Sequence, residues 1–132
     1  MINHVTLLVG NFERSKEFYS RALRPLGYRL LEQDRKLLIA VFGIEDVEGK
    51  RDFCIKAGGV KQKTNSLSCL AFTASGKRMV NDFYRAAIKA GGKDNGAPGY
   101  RKKYHPGYYA AFVLDPDGNN IEAVFDDPDP AK

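Results

Sequence analysis

The sequence predicts one α+β domain of two similar modules, each opening on a strand followed by a helix. Three observations carry this. Residues 1–57 pass from two-residue to helical periodicity and back. A polar, Gly-containing stretch, GGVKQKTNS at 58–66, then interrupts the pattern. After it the pattern restarts at a constant offset. The expected division is module one over about 1–57, a connector at 58–66, module two over about 67–126 and a polar tail at 127–132.

The elements follow in order. INHVTLLVG alternates, with Val5, Leu7 and Val9 on one face and His4 and Thr6 on the other. Asn11 is placed to cap a helix whose buried stripe is Phe18, Tyr19, Ala22, Leu23 and Leu26. Pro25 and Gly27 end it. YRLLEQ (28–33), KLLIAVFG (36–43) and RDFCIKA (51–57) read as strands. In the second half LSCLAFTA (67–74) is a strand. Ser75 is the expected cap of a helix striped by Val80, Phe83, Tyr84, Ala87 and Ile88, and Gly91 and Gly92 stop it. Residues 93–107 show no regular pattern and read as a long loop. YYAAFVLD (108–115) and NNIEAVF (119–125) are strands joined by DPDG, in which Pro116 presets the turn and Gly118 supplies the positive φ.

The offset is 65 residues. It relates Phe18-Tyr19 to Phe83-Tyr84, Ala22 to Ala87 and Gly27 to Gly92. Two copies of so short a unit form a pseudo-twofold pair rather than a solenoid. The same offset carries His4 onto Cys69, so each first strand holds a potential metal ligand at one place.

A chain of 132 residues with 43% hydrophobic and 28% charged residues has the balance of a soluble globular domain. No apolar run approaches the about 20 residues of a membrane span. The first residues lack a secretory pattern, so the expected location is cytoplasmic. Two cysteines, Cys54 and Cys69, are too few for a disulfide framework and read as thiols. The +5 charge is dispersed, with one dense cluster, YRKKYH at 100–105, and a lesser one, KQK at 61–63. That distribution favours a solvated surface over nucleic-acid binding.

One face of each sheet must pack on a helix. The opposite face then collects His4, Cys54, Cys69 and Glu122. If that face curls into a trough, Glu122 points into a concave site; if it is flat and wet, Glu122 is only solvated. Cys69 and Cys54 also fit as small core residues.

INHVTLLVGNFERSKEFYSRAL with PLGY, and AAFVLDPDGNNIEAVF, resemble the opening and closing segments of the vicinal oxygen chelate superfamily. That group includes glyoxalases, bleomycin resistance proteins and extradiol dioxygenases. The resemblance spans about residues 1–126. It implies two βαβββ modules forming a curved mixed sheet around a central trough, with the helices outside. It also implies a trough that holds a divalent cation (Zn, Ni, Co, Mn or Fe) in metal-dependent members. Carried over, the metal ligands are His4, Cys69 and Glu122. The fourth position falls near Cys54 or Lys56 and has no carboxylate.

Two functions are compatible with these residues. One is a metal-assisted glyoxalase-like lyase, isomerase or dioxygenase acting on a small oxygenated metabolite, with Glu122 or His105 moving a proton. The other is a metal-free protein that sequesters a small molecule. In both, Arg101, Tyr104, Tyr108 and Tyr109 are candidate substrate contacts; the first two lie in a basic segment that is either a lid or a wet loop, and the tyrosine pair opens the strand after it. A homodimer is expected, because unpaired strand edges invite a partner.

Overall fold

Alternation in the first residues produces a strand, β1 (Val5–Val9), whose Thr6 and Leu8 are exposed while Val9 is buried. Asn11 ends it and caps the helix α1 (Phe12–Ala22) by accepting from the Arg14 amide at 3.0 Å. Phe12, Ser15, Phe18, Tyr19 and Ala22 form the buried stripe. A 3₁₀ turn, Arg24–Leu26, closes at Gly27. Three strands follow: β2 (Tyr28–Asp34), β3 (Ile39–Ile44) and β4 (Phe53–Ala57). The second half repeats the order with β5 (Cys69–Thr73), α2 (Lys77–Lys89), β6 (Lys93–Tyr100), β7 (Tyr108–Leu114) and β8 (Asn120–Asp126). This computed structural model describes residues 1–45, 51–58 and 69–131. The KQK cluster and all but Gly58 of the expected connector lie outside the described residues.

Each half forms a four-stranded mixed sheet, ordered β1-β4-β3-β2 and β5-β8-β7-β6. The first and last strands of each half run parallel; the other pairs are antiparallel. The result is the expected α+β arrangement of two βαβββ units, with the helices outside the sheets and one sheet face left open. The strand faces fall as alternation predicts. Leu70 and Phe72 turn inward from β5, while Cys69 and Ala71 stay exposed.

One apolar core runs through both halves. Phe72 packs edge-on against Tyr28 and Phe53, each at 5.3 Å between ring centres. The β7–β8 turn is gripped from the first half: the Gly10 amide donates to Asp117 at 3.1 Å, and Tyr19 donates to Asp115 at 2.5 Å.

Three details depart from the sequence reading. Residues 93–100 are a strand rather than loop. Gly, Asn and Pro are weak strand formers, and the pairing of β6 with β7 breaks register around Gly96 and Gly99. As an edge strand β6 tolerates Pro98. The cap of α2 is Gly76, not Ser75, because extended backbone at Gly76 starts the helix one residue later. The Ser75 hydroxyl instead lies 2.7 Å from Met79 Sδ. Finally, the tail is anchored at its start: the Asp127 amide donates to Gly107 and its carboxylate accepts from Tyr100 at 2.6 Å.

Candidate functional site

The open face of the second sheet is built by β5, β7 and β8. Register sets Ala71 and Phe112 on either side of Glu122. Strand alternation directs Ile121 and Ala123 into the core and Glu122 to the opposite face. Yet Glu122 is only 5% exposed. Its Oε1 accepts from the Tyr108 hydroxyl at 2.7 Å. Its Oε2 accepts from the Cys69 thiol at 2.9 Å and from Asn120 Nδ2 at 3.3 Å. Asn120 Nδ2 also approaches Cys69 Sγ at 3.1 Å, and its carbonyl oxygen accepts from Asn95 at 2.9 Å.

All three donors to Glu122 are neutral. Among the described residues no ion pair involves this carboxylate. Burying a charge without a cation is costly, so such a group is a marker of function. Its charge acts back on the donors. Tyr108 is held well above the ordinary phenol range, first by burial and then by its bond to Glu122. Burial, and then the bond to Glu122, push the Cys69 thiol up as well. Both groups therefore keep their protons and act as donors at neutral pH.

A basic rim stands beside this network. The Arg101 guanidinium lies 5.1 Å over the Phe112 ring, and its Nη2 donates to the Ala97 carbonyl at 2.5 Å. Phe112 is the cross-strand neighbour of Glu122. The Tyr104 ring, largely exposed, packs on Tyr108 at 4.8 Å between centres. The His105 ring meets Tyr108 edge-on at 5.3 Å. His105 Nδ1 accepts from the Gly107 amide at 3.2 Å, which leaves the proton of the neutral ring on Nε2, 2.9 Å from Asp126.

The 101–107 segment is a tied turn. Backbone bonds run from Arg101 to Tyr108, from Tyr104 to Arg101 and from Tyr108 to His105. Gly107 has no room for a side chain: a Cβ there would stand 2.1 Å from the Asp127 carbonyl oxygen.

The structure thus brings Glu122, Cys69, Tyr108, Tyr104, His105 and Arg101 to one face. It places Tyr109 on the other. The Tyr109 hydroxyl donates to Asn81 of α2 at 2.8 Å, and its ring packs on Tyr100. This is the alternation of β7 acting on adjacent residues. His4 also stands apart: its ring is exposed, with Nδ1 2.9 Å from Asn3 Oδ1. Cys54 sits on the open face of the first sheet beside Thr6. Asn120, Asn95, Phe112 and Asp126 were not singled out by sequence. Alternation about Glu122 marks Asn120, whereas Asn95 lay in the unrecognised strand.

Among the described residues of one chain the donor set is incomplete for a divalent ion. Among the described residues no three His, Cys, Asp or Glu side chains gather to hold a metal. Cys69 and Glu122 are adjacent, the thiol donating to the carboxylate at 2.9 Å, and they supply two such donors side by side.

Comparison with known proteins agrees with this architecture. A glyoxalase/bleomycin resistance protein from Albidiferax ferrireducens is similar in structure, with a TM-score of 0.74, 28% identity, and 92% of this chain and 95% of that one covered. A glyoxalase I mutant from Zea mays is similar at a TM-score of 0.68 and 28% identity, covering 93% of this chain and 46% of that one. A glyoxalase/bleomycin resistance protein/dioxygenase family enzyme from Burkholderia phytofirmans shares the fold at a TM-score of 0.71 and 20% identity, covering 95% and 98%. No curated protein matches in sequence. The sequence model of one family matches residues 1–123, nearly the whole of both βαβββ units. The chain therefore belongs to the Glyoxalase/Bleomycin resistance protein/Dioxygenase superfamily.

Proposed function

We propose that the open face of the second sheet binds a small, oxygenated, anionic molecule without help from a metal. Glu122 accepts a hydrogen bond from a ligand hydroxyl, and Arg101 pairs with its carboxylate. The observation that supports this reading is the near-complete burial of Glu122 among neutral donors, one strand across from the residue that carries Arg101. A ligand hydroxyl would replace one of those donors at little cost. The Tyr104 and Tyr108 rings offer a flat wall for the rest of the molecule. Where the ligand reacts, Glu122 is the group that takes the proton, because a ligand hydroxyl that displaces one of its donors leaves its hydrogen on a carboxylate lone pair. His105, held by Asp126, orients Tyr108 and through it Glu122.

Two copies of the chain are expected to pair in this reading. β1, β2, β5 and β6 are all sheet edges, and a second copy covers open backbone groups. Light scattering at micromolar concentration gives twice the chain mass if they pair.

The experiment is a melting-temperature series. Mandelate should raise the melting temperature, since a ligand of the native state stabilises by mass action. Phenylacetate, which lacks the hydroxyl, should raise it less. Glu122→Gln should remove the difference between the two, and Arg101→Ala should remove both shifts. Equal shifts in every variant would defeat the assignment. A rise with Zn²⁺, Ni²⁺, Co²⁺ or Mn²⁺ that disappears in Glu122→Gln would favour the metal-assisted enzyme reading instead.

A further inference from the structure

The edge strand β6 is irregular, and both of its irregularities bear on the Glu122 face. Its pairing with β7 skips from Asp94 to Gly96 and again from Gly96 to Gly99. Asp94 Oδ1 accepts from the Gly96 amide at 2.9 Å and closes the first bulge. A bulge at a sheet edge re-aims the side chain that it leaves out of the ladder. Here that residue is Asn95. Its Nδ2 reaches over β7 to β8 and donates to Asn120 Oδ1 at 2.9 Å.

This bond decides which way the Asn120 amide points. A primary amide has two orientations of one shape and opposite polarity. With Oδ1 held by Asn95, Nδ2 faces Cys69 Sγ at 3.1 Å and Glu122 Oε2 at 3.3 Å. Turned over, the amide would set its NH₂ against that of Asn95 and its oxygen against the carboxylate. Of the three donors to Glu122 the thiol is the weakest. A ligand hydroxyl therefore takes the place of Cys69 on Oε2, beside a hydrogen that Asn120 supplies.

The rest of the strand shapes the seat of Arg101. A Cβ at Gly96 would stand 2.6 Å from Phe112 Cδ2 and 3.1 Å from Arg101 Nη2, and one at Gly99 would stand 3.0 Å from Arg101 Nη1. Between them the Ala97 carbonyl accepts from Nη2 at 2.5 Å. Bare backbone at these two places lets the guanidinium settle over the Phe112 ring, one strand across from Glu122.

Building on the Glu122–Arg101 reading, we propose that β6 is the positioning element of that site. Asn95 orients the Asn120 amide that shares Glu122 Oε2 with the ligand hydroxyl, and Gly96 and Gly99 seat the guanidinium that pairs with the ligand carboxylate. Hydroxyl and carboxylate are then recognised by separate side chains that one bulged strand holds in place.

The test uses the full chain with and without ligand. Asn95 is exposed, and the group nearest a Gly99 methyl is the tip of a flexible side chain, so Asn95→Ala and Gly99→Ala should keep the fold. In nitrogen–proton correlation spectra of the free protein, Asn95→Ala should move the Asn120 side-chain amide and leave the Arg101 Nε–H in place. Gly99→Ala should do the reverse. Asn95→Leu, which has a similar shape and no donor, should repeat the Asn95→Ala result. Mandelate and phenylacetate are then titrated against each variant. Asn95→Ala should cut the preference for mandelate roughly three- to tenfold, the contribution of one hydrogen bond, with phenylacetate unchanged. Gly99→Ala should weaken both acids and keep their ratio. A merely structural role would weaken both acids in both variants. That outcome, or free-protein spectra in which either variant moves both resonances or neither, would overturn the proposal. Failure of the wild type to bind either acid would sink the Glu122–Arg101 reading alone, because the two resonances of the free protein decide the role of β6 without it.

Discussion

The Tyr19 hydroxyl donates to Asp115 Oδ2 at 2.5 Å, tying the first helix to a turn 96 residues later. Both side chains are buried. Asp115 also accepts from the Asp117 and Asn119 amides at 2.9 and 2.8 Å and from Asn119 Nδ2 at 3.1 Å. Tyr19→Phe removes one donor and leaves three. The expected loss is about 1–2 kcal/mol, that of one hydrogen bond to a charged acceptor that keeps its other donors. Urea unfolding measures it. An unchanged midpoint would mean that the turn holds without the helix.

The same pair sets an alkaline limit. Burial first, then the Asp115 charge, raises the Tyr19 phenol well above its usual range. A group raised on folding stabilises fully below its unfolded pKa, about 10 for tyrosine, and that contribution is lost as pH climbs toward the folded value. The wild type should therefore lose stability more steeply above pH about 10 than Tyr19→Phe does. Parallel stability curves for the two proteins across that window would refute the assignment.

Cys69 offers a direct reading of Glu122. Burial first, and then the bond to the carboxylate, hold the thiol protonated, and the thiolate is the reactive form. Iodoacetamide at neutral pH should label Cys69 slowly although the residue is exposed. Glu122→Gln should speed that labelling several-fold and leave Cys54, on the other sheet, unchanged. Mass spectrometry of the two cysteine peptides supplies its own control. Slower labelling of Cys69 in the variant would show that Glu122 activates the thiol instead.

Glu122→Gln should cost little stability. It removes an uncompensated buried charge and keeps a side chain of the same shape, and residues kept for function are commonly poor for stability. Unfolding free energy within about 1 kcal/mol of the wild type, or above it, is the expected result. A loss of several times that amount would identify Glu122 as a structural group.

Gly107→Ala should be costly. The added methyl would stand 2.1 Å from a backbone oxygen of Asp127, which cannot yield as a side-chain tip could. Overpacking of this kind costs about 1–3 kcal/mol. Melting temperature checks the stability. Loss of the Gly107–Asp127 contact also frees the turn bearing Arg101 and Tyr104, so mandelate binding should fall with it.

Much of this was legible in the sequence because it rests on periodicity. The faces of β1, β4, β5 and β8 follow from two-residue alternation, which does not depend on tertiary context. The placement of Glu122 opposite the core followed in the same way. What the residues could not reveal was distance. The 65-residue offset equates His4 with Cys69, but equivalence in a repeat is not proximity, and among the described residues no three His, Cys, Asp or Glu side chains gather. Tyr109 shows the other side of this: it was read with Tyr104 and Tyr108 as a substrate contact, while the alternation of β7 turns its hydroxyl to Asn81. β6 was missed because its composition is that of a turn, and its pairing is supplied by β7 alone.

The packing of Phe72 on Tyr28 and Phe53 has a further consequence. The repeated halves are alike in topology, but neither owns a complete interior. Separated at the connector, each would show water a ring that now sits in the other. Calorimetry of the intact chain should record a single cooperative heat-absorption peak, and co-expressed halves should be recovered as a complex or in inclusion bodies rather than as two independent domains.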